Sequence, residues 1–241
     1  MTDPNIHSID VADYQPRDLG PLIQAYQAKH VVVHLYVPGE GQGPQYSKDQ
    51  INSTRDNGAS AGGYVFPYRP SDDPELLLIN TLTLCASVNL ELPVAWVDAE
   101  PSPYGPGPDE AWFDHWFDLC DSVQMLSGPY CNPDWLHTYP WMEKYGRDGR
   151  PLWLAHHGVP ADLTIYPVPD GWLELAGLQW EVAPDTGLGR VDRDVFREEF
   201  TVYSGSQPPP DPCESLRIEN ARLVAGIDEA IGMLTALKGG S

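Results

Sequence analysis

Short apolar runs rich in Val, Ile and aromatic residues recur along the chain. Most alternate with longer stretches in which apolar residues return every third or fourth position. The first kind reads as strand and the second as amphipathic helix. Strands are predicted at 7–12 (HSIDVA), 31–37 (VVVHLYV), 62–67 (GGYVFP), 92–98 (LPVAWVD), 125–130 (MLSGPY), 151–156 (PLWLAH), 176–182 (AGLQWEV) and 191–196 (VDRDVF). Helices are predicted near 18–29, 47–59, 73–88, 109–123 and 132–145. The fourth opens on Pro108-Asp109-Glu110, acids that suit a helix N-terminus, and continues with Trp112, Trp116, Leu119 and Val123 at helical spacing.

The order is five strand–helix pairs followed by three strands without a clear helix between them. Alternation of this kind implies an α/β fold with a parallel sheet and helices outside. Eight strands suggest closure into an irregular TIM-like barrel over residues 1–203, with a doubly wound open sheet as the rival. Residues 204–212 (SGSQPPPDP) read as a Pro-rich linker, its consecutive prolines forming a stiff spacer. Within 213–241, Leu216, Leu223, Ile227, Ala230, Leu234 and Leu237 keep a three/four spacing, with Asn220 in the remaining slot. That pattern fits a coiled-coil seam, so a homo-oligomer through 213–238 is expected, the alternative being a helix packed back on the barrel.

Charge narrows the partners. Against 14 basic residues stand 35 acidic ones, a net charge of −21, which argues strongly against a nucleic-acid partner because phosphate binding needs clustered Lys and Arg. No apolar stretch is long enough to span a membrane. The opening MTDPNIHSID has neither a basic n-region nor an apolar h-region, so no signal peptide is expected. Cys85, Cys120, Cys131 and Cys213 lack zinc spacing, and the first two sit in helical apolar patterns that suit buried free thiols.

The chemistry lies in LPVAWVDAEP (92–101), where an apolar strand ends on Asp98 and Glu100. Side chains two residues apart on a strand point to the same side, and two acids on one face of a buried strand need a reason. In a barrel, strand ends form the active-site face. Asp10 in the first strand and Asp192 in the last would join the pair there, since those strands are neighbours on closure. Such a group suits glycoside hydrolysis, in which one carboxyl stays protonated as general acid and another faces a positive sugar. Tyr64, Tyr130, Trp153 and Trp180 would supply sugar-stacking faces, or else barrel core. His156 and His157 would point opposite ways on a strand and do not suit a shared metal. Carboxyl chemistry calls for no metal and no other cofactor.

These segments together resemble glycoside hydrolase family 25, the Chalaropsis-type lysozymes (N-acetylmuramidases) of phages and bacteria. SIDVADYQ, DNGASAGGYVFPY, LPVAWVDAEP, GPYCNPDWL, PLWLAHH, LQWEV and GRVDRDVF resemble the family's strand motifs, in order, over residues 7–200. The resemblance implies a barrel of five β–α units followed by three strands. It implies Glu100 as general acid/base and Asp98 as stabiliser of the positive centre, directly or by orienting the substrate's N-acetyl group. Asp10 and Asp192 would line the cleft, with Tyr64 and Tyr130 on the sugar. The substrate would be bacterial peptidoglycan, cut at the β-1,4 bond between N-acetylmuramic acid and N-acetylglucosamine, and the chain would be phage-encoded or virion-associated. Departures from the family are Val65 in place of His, HLYVPGEGQG in the second strand, His156-His157, Trp180 in place of Tyr and Asp194 in place of Asn. A second reading is a virion structural or glycan-binding protein that keeps the barrel without its activity.

Overall fold

The computed structural model describes residues 5–36, 41–69, 72–101, 105, 107–183 and 190–202. In chain order these form β1 (Asn5–Val11), α1 (Gly20–Tyr26), β2 (His30–His34), α2 (Pro44–Asp56), β3 (Ser60–Val65), α3 (Pro74–Ser87), β4 (Ala95–Asp98), α4 (Glu110–Ser122), β5 (Ser127–Cys131), α5 (Pro133–Thr138), α6 (Glu143–Arg147), β6 (Trp153–Ala155), β7 (Gly177–Val182) and β8 (Asp192–Arg197). The strands close into a barrel in sequence order. Strands β1 to β7 are parallel, and β8 runs antiparallel to both β7 and β1. Its pairing with β1, from Asn5↔Arg197 to Asp10↔Asp192, excludes the open sheet. The expected linker and C-terminal helix lie outside the described residues.

Local chemistry explains the boundaries. Pro occupies the first turn of α1, α2, α3 and α5, where a missing N–H costs nothing. Asp73, Asp109 and Asn132 each accept a backbone N–H as N-caps. The single helix expected over 132–145 is broken. Pro140 lacks an N–H and holds Tyr139 at φ −122°, ψ 70°, so α5 stops and a short 3-10 turn leads into α6. The strand expected from 92 starts only at Ala95, after Pro93.

Strand alternation sorts the core into two layers. Ile9, Val31, Val33, Val97, Leu154 and Val195 face outward, where helix side chains such as Phe113, Trp116 and Phe117 cover them. Val32, Trp96, Trp153 and Phe196 face inward and fill the barrel. Gly177 makes room for this filling, because a Cβ there would stand 2.3 Å from the Phe196 ring. The filled interior forms a floor, so any ligand must sit above it at the mouth. Cys85, Cys120 and Cys131 are buried free thiols. Among the described residues no helix is long and apolar enough to cross a membrane.

Candidate active site

The parallel strands all finish at one rim, and the reversed β8 begins there. Asp10 therefore comes from the end of β1, Asp98 from the end of β4 and Asp192 from the start of β8. The Ala99 N–H donates to the Tyr130 carbonyl at 2.8 Å, which carries the β4–β5 ladder past Asp98. Asp98 and Glu100 thus share the inner side. Gly107, at φ +85°, passes so close to the Glu100 backbone that a Cβ would stand 2.9 Å from its carbonyl oxygen. Glycine alone suits both that φ and that approach.

The acids feel one another's charge: Asp10 is acted on by Asp192 and Glu100, Asp98 by Glu100 and Asp10, and Glu100 by Asp192. Their hydrogen bonding is unequal. Asn132 Nδ2 donates to Glu100 Oε1 at 3.1 Å, while Asn132 Oδ1 caps α5 by accepting the Trp135 N–H at 2.8 Å. Asp98 Oδ1 is buried with no hydrogen-bond partner among the described residues. Gln179 on β7 is the hub of the floor. Its Nε2 donates to Asp10 Oδ2 at 2.8 Å, and its Oε1 accepts the Tyr130 hydroxyl at 2.9 Å and lies 2.8 Å from His157 Nε2.

Burial is the largest influence on every acid of the group. It drives Asp98 well above the ordinary carboxylate range, with Glu100 and Asp10 adding to the effect. Burial also raises Glu100, opposed by the Asn132 bond and the His157 side chain. Asp10 is pushed up to about 8 by burial and then by Asp192, and Asp192 is itself raised by burial. Two carboxylates this close resist ionising together, so the site keeps protons at neutral pH.

The four aromatic candidates divide. Tyr64 and Tyr130 face inward at the level of the acids, Tyr64 stacking on His34 at 4.6 Å and Tyr130 lying 4.3 Å from the Trp153 ring. Trp153 is only 2% exposed and offers no face to a ligand; its Nε1 donates to Asp194 Oδ1 at 3.0 Å. Trp180 does not join the site. It packs with the outer layer under the Arg193 guanidinium, 4.4 Å from its ring centroid, because Gln179 takes the inward position on β7. Residues 58–62 (GASAG) have the G-x-S-x-G spacing of a nucleophile elbow, but Ser60 opens β3 at the opposite rim. Its Oγ lies 2.8 Å from Nδ1 of the fully buried His30, and no strand-to-helix turn exposes it.

Gln179, Asn132, His157 and His34 were not assigned roles by sequence reasoning. Gln179, Asn132 and His157 lie inside the motif segments LQWEV, GPYCNPDWL and PLWLAHH. Polar residues one or two places from an apolar strand end carry no further local signal.

No protein-family model matches the chain, and no curated protein matches it. Solved structures do. The barrel is similar to the CTP1L endolysin at 17% identity and a TM-score of 0.62, covering 80% of this chain and 67% of that one. It is similar to a bacterial lysozyme from Streptomyces coelicolor at 18% identity and a TM-score of 0.59, covering 79% and 91%. It is also similar to the modular autolysin LytC from Streptococcus pneumoniae, solved with a synthetic peptidoglycan ligand, at 16% identity and a TM-score of 0.60, covering 80% and 46%. The irregular α/β barrel of this chain is the fold of these proteins.

Proposed function

We propose that the chain is a muramidase that hydrolyses the β-1,4 bond between N-acetylmuramic acid and N-acetylglucosamine in bacterial peptidoglycan. The observation that carries this reading is the Asp98–Glu100 pair, on one inner face at the mouth of a barrel shared with lysozymes and endolysins. In this reading Glu100 protonates the glycosidic oxygen as the bond to C1 breaks, and later takes a proton from the attacking water. Asp98 stabilises the positive charge growing at C1. In this reading Asp98 also accepts the N–H of the substrate's N-acetyl group. That bond would favour ionised Asp98 and leave the shared proton on Glu100, where cleavage needs it. Asp10, Asp192, Tyr64 and Tyr130 line the sugar site, with no metal or other cofactor in the reaction. A phage-encoded enzyme acting on the host wall fits the endolysin-like fold.

The test is release of new reducing ends from purified peptidoglycan by the wild type and by Glu100→Gln. Release that falls by about 10²-fold or more in the variant supports the reading, as expected for loss of a general acid. Equal release from both proteins rejects Glu100, and no release from several peptidoglycan types would favour a glycan-binding or virion structural protein. We also propose that residues 213–238 form a homo-oligomer. Light scattering on the full chain against one ending at residue 204 tests this, and monomers in both cases would refute it.

A further inference from the structure

Asp194 lies below the proposed catalytic pair, on the inner face of β8. It is 1% exposed, although it is one of the most polar side chains in the protein. Trp153 Nε1 donates to its Oδ1 at 3.0 Å, but its Oδ2 is buried and receives no donor from the described residues. In the β1–β8 ladder Asp194 pairs with Ser8 and Asp192 with Asp10, so Asp10 and Asp194 lie two residues apart along one inner face. Their carboxyls lie within hydrogen-bonding range of each other. An acceptor cannot satisfy an acceptor. The contact is favourable only if one carboxyl brings a proton.

We propose that Asp194 carries that proton at neutral pH and acts as a positioning residue, donating a hydrogen bond from its neutral carboxyl to a carboxyl oxygen of Asp10. Two features assign the proton to Asp194. Asp10 already receives Nε2–H of Gln179, a bond that favours its ionised form, and it lies nearer the rim. Asp194 is the more deeply buried, and burial penalises charge most where water is farthest. The surroundings agree: it is faced by Asp10 from β1, Asp192 on its own strand, Tyr130 from β5, Trp153 from β6 and Gln179 from β7. The like charges of Asp10 and Asp192 both disfavour ionising it. Burial is the larger cause, and the shift is well upward.

An Asn side chain would provide the same donor without a titration. The Asp at 194 therefore makes the hold on Asp10 depend on pH: it is present in neutral solution and released when alkali strips the shared proton. None of this rests on the muramidase reading, and the test uses no turnover.

The experiment is carbon-13 NMR of the full chain labelled at the Asp carboxyl carbons, with Asp194 assigned as the resonance missing from Asp194→Asn. If that variant does not fold, Trp153→Phe assigns the same resonance, by shifting it through loss of the indole donor. The expected result is an Asp194 signal at the protonated position at pH 7 that moves to the ionised position only in alkali. A signal already at the ionised position at pH 7 would overturn the proposal. Urea unfolding gives a second readout. The margin by which Asp194→Asn exceeds the wild type should widen from pH 4 to pH 8, and a margin independent of pH would equally overturn it.

Discussion

Asn132 Nδ2 and Glu100 Oε1 meet at 3.1 Å, making the residue that caps α5 the side-chain donor to the proposed general acid. This bond lowers the carboxyl's pKa against the pull of burial. Asn132→Asp keeps the cap but removes the donor and adds a like charge. The general acid in the free enzyme sets the alkaline limb of kcat/KM, so that limb should move to higher pH, while the rate at the optimum falls by about tenfold. A pH–rate profile on peptidoglycan checks this, and an unmoved limb would remove Glu100 from the acid role.

Gln179 ties three elements of the floor together. Gln179→Leu would leave the Tyr130 hydroxyl and His157 without their shared acceptor and Asp10 without its donor. Stranding buried polar groups costs about 1–3 kcal/mol each, less for the exposed His157, so a total loss of about 3 kcal/mol is expected in urea unfolding. A loss under about 0.5 kcal/mol, the usual scale of a surface change, would show that the hub does not organise the floor.

The inner acids make stability depend on pH in an unusual direction. Asp10, Asp98, Glu100, Asp192 and Asp194 all have raised pKa values in the folded chain, chiefly from burial. Above about pH 4 the unfolded chain has released protons that the native state still holds, so stability falls as pH rises. The decline runs from about pH 4 through about 8, where Asp10 lets go. Each fully buried group contributes at most about 1.4 kcal/mol per pH unit, and the partly exposed Glu100 and Asp192 contribute less. Urea midpoints at pH 5, 6, 7 and 8 should descend in order, and a flat or rising series would contradict the burial of these protons.

Trp180 faces away from the acids, so Trp180→Ala should leave kcat/KM on peptidoglycan within about twofold while costing about 1–3 kcal/mol of stability through lost packing and the lost Arg193 contact. A large drop in kcat/KM with little change in stability would place this ring on the substrate after all.

Net charge gives a further expectation. With −21 on the chain, approach to an anionic wall is repelled at long range, and that repulsion is screened as the Debye length shrinks from about 30 Å at 0.01 M salt to about 10 Å at 0.1 M. Hydrolysis of intact walls should therefore speed up over that range, while hydrolysis of a short neutral glycan fragment should change little. Equal salt responses would assign the effect to the site instead of the surface.

The barrel was legible because its strands are apolar runs that few other arrangements can bury, and the first six recur at a spacing a helix can bridge. Pairing two acids after Val97 was equally local, and it located the mouth. Facing was not local. Trp153 and Trp180 look alike in sequence, yet one fills the floor and the other leaves the barrel, because strand parity is set by what lies across the sheet. Gln179 shows the converse. It is an unremarkable polar residue in LQWEV until three partners from β1, β5 and the segment after β6 converge on it. The break at Pro140 was visible in the sequence, but the helical spacing around it masked the interruption.

The reversed direction of β8 decides where the chain leaves the barrel. Strand β8 starts beside Asp10 at the cleft and finishes beside Asn5. Thr201 and Val202 then line a groove with Ser60, Ala61, Glu91 and Pro93, at the rim where β3 and β4 begin. Both polypeptide ends of the described barrel thus emerge on the side away from the carboxylates. An affinity tag or a bead joined directly at residue 5 or residue 202 of the barrel would start from the rim opposite the carboxylates, which suits a barrel ending at residue 202 to immobilisation with its cleft facing outward.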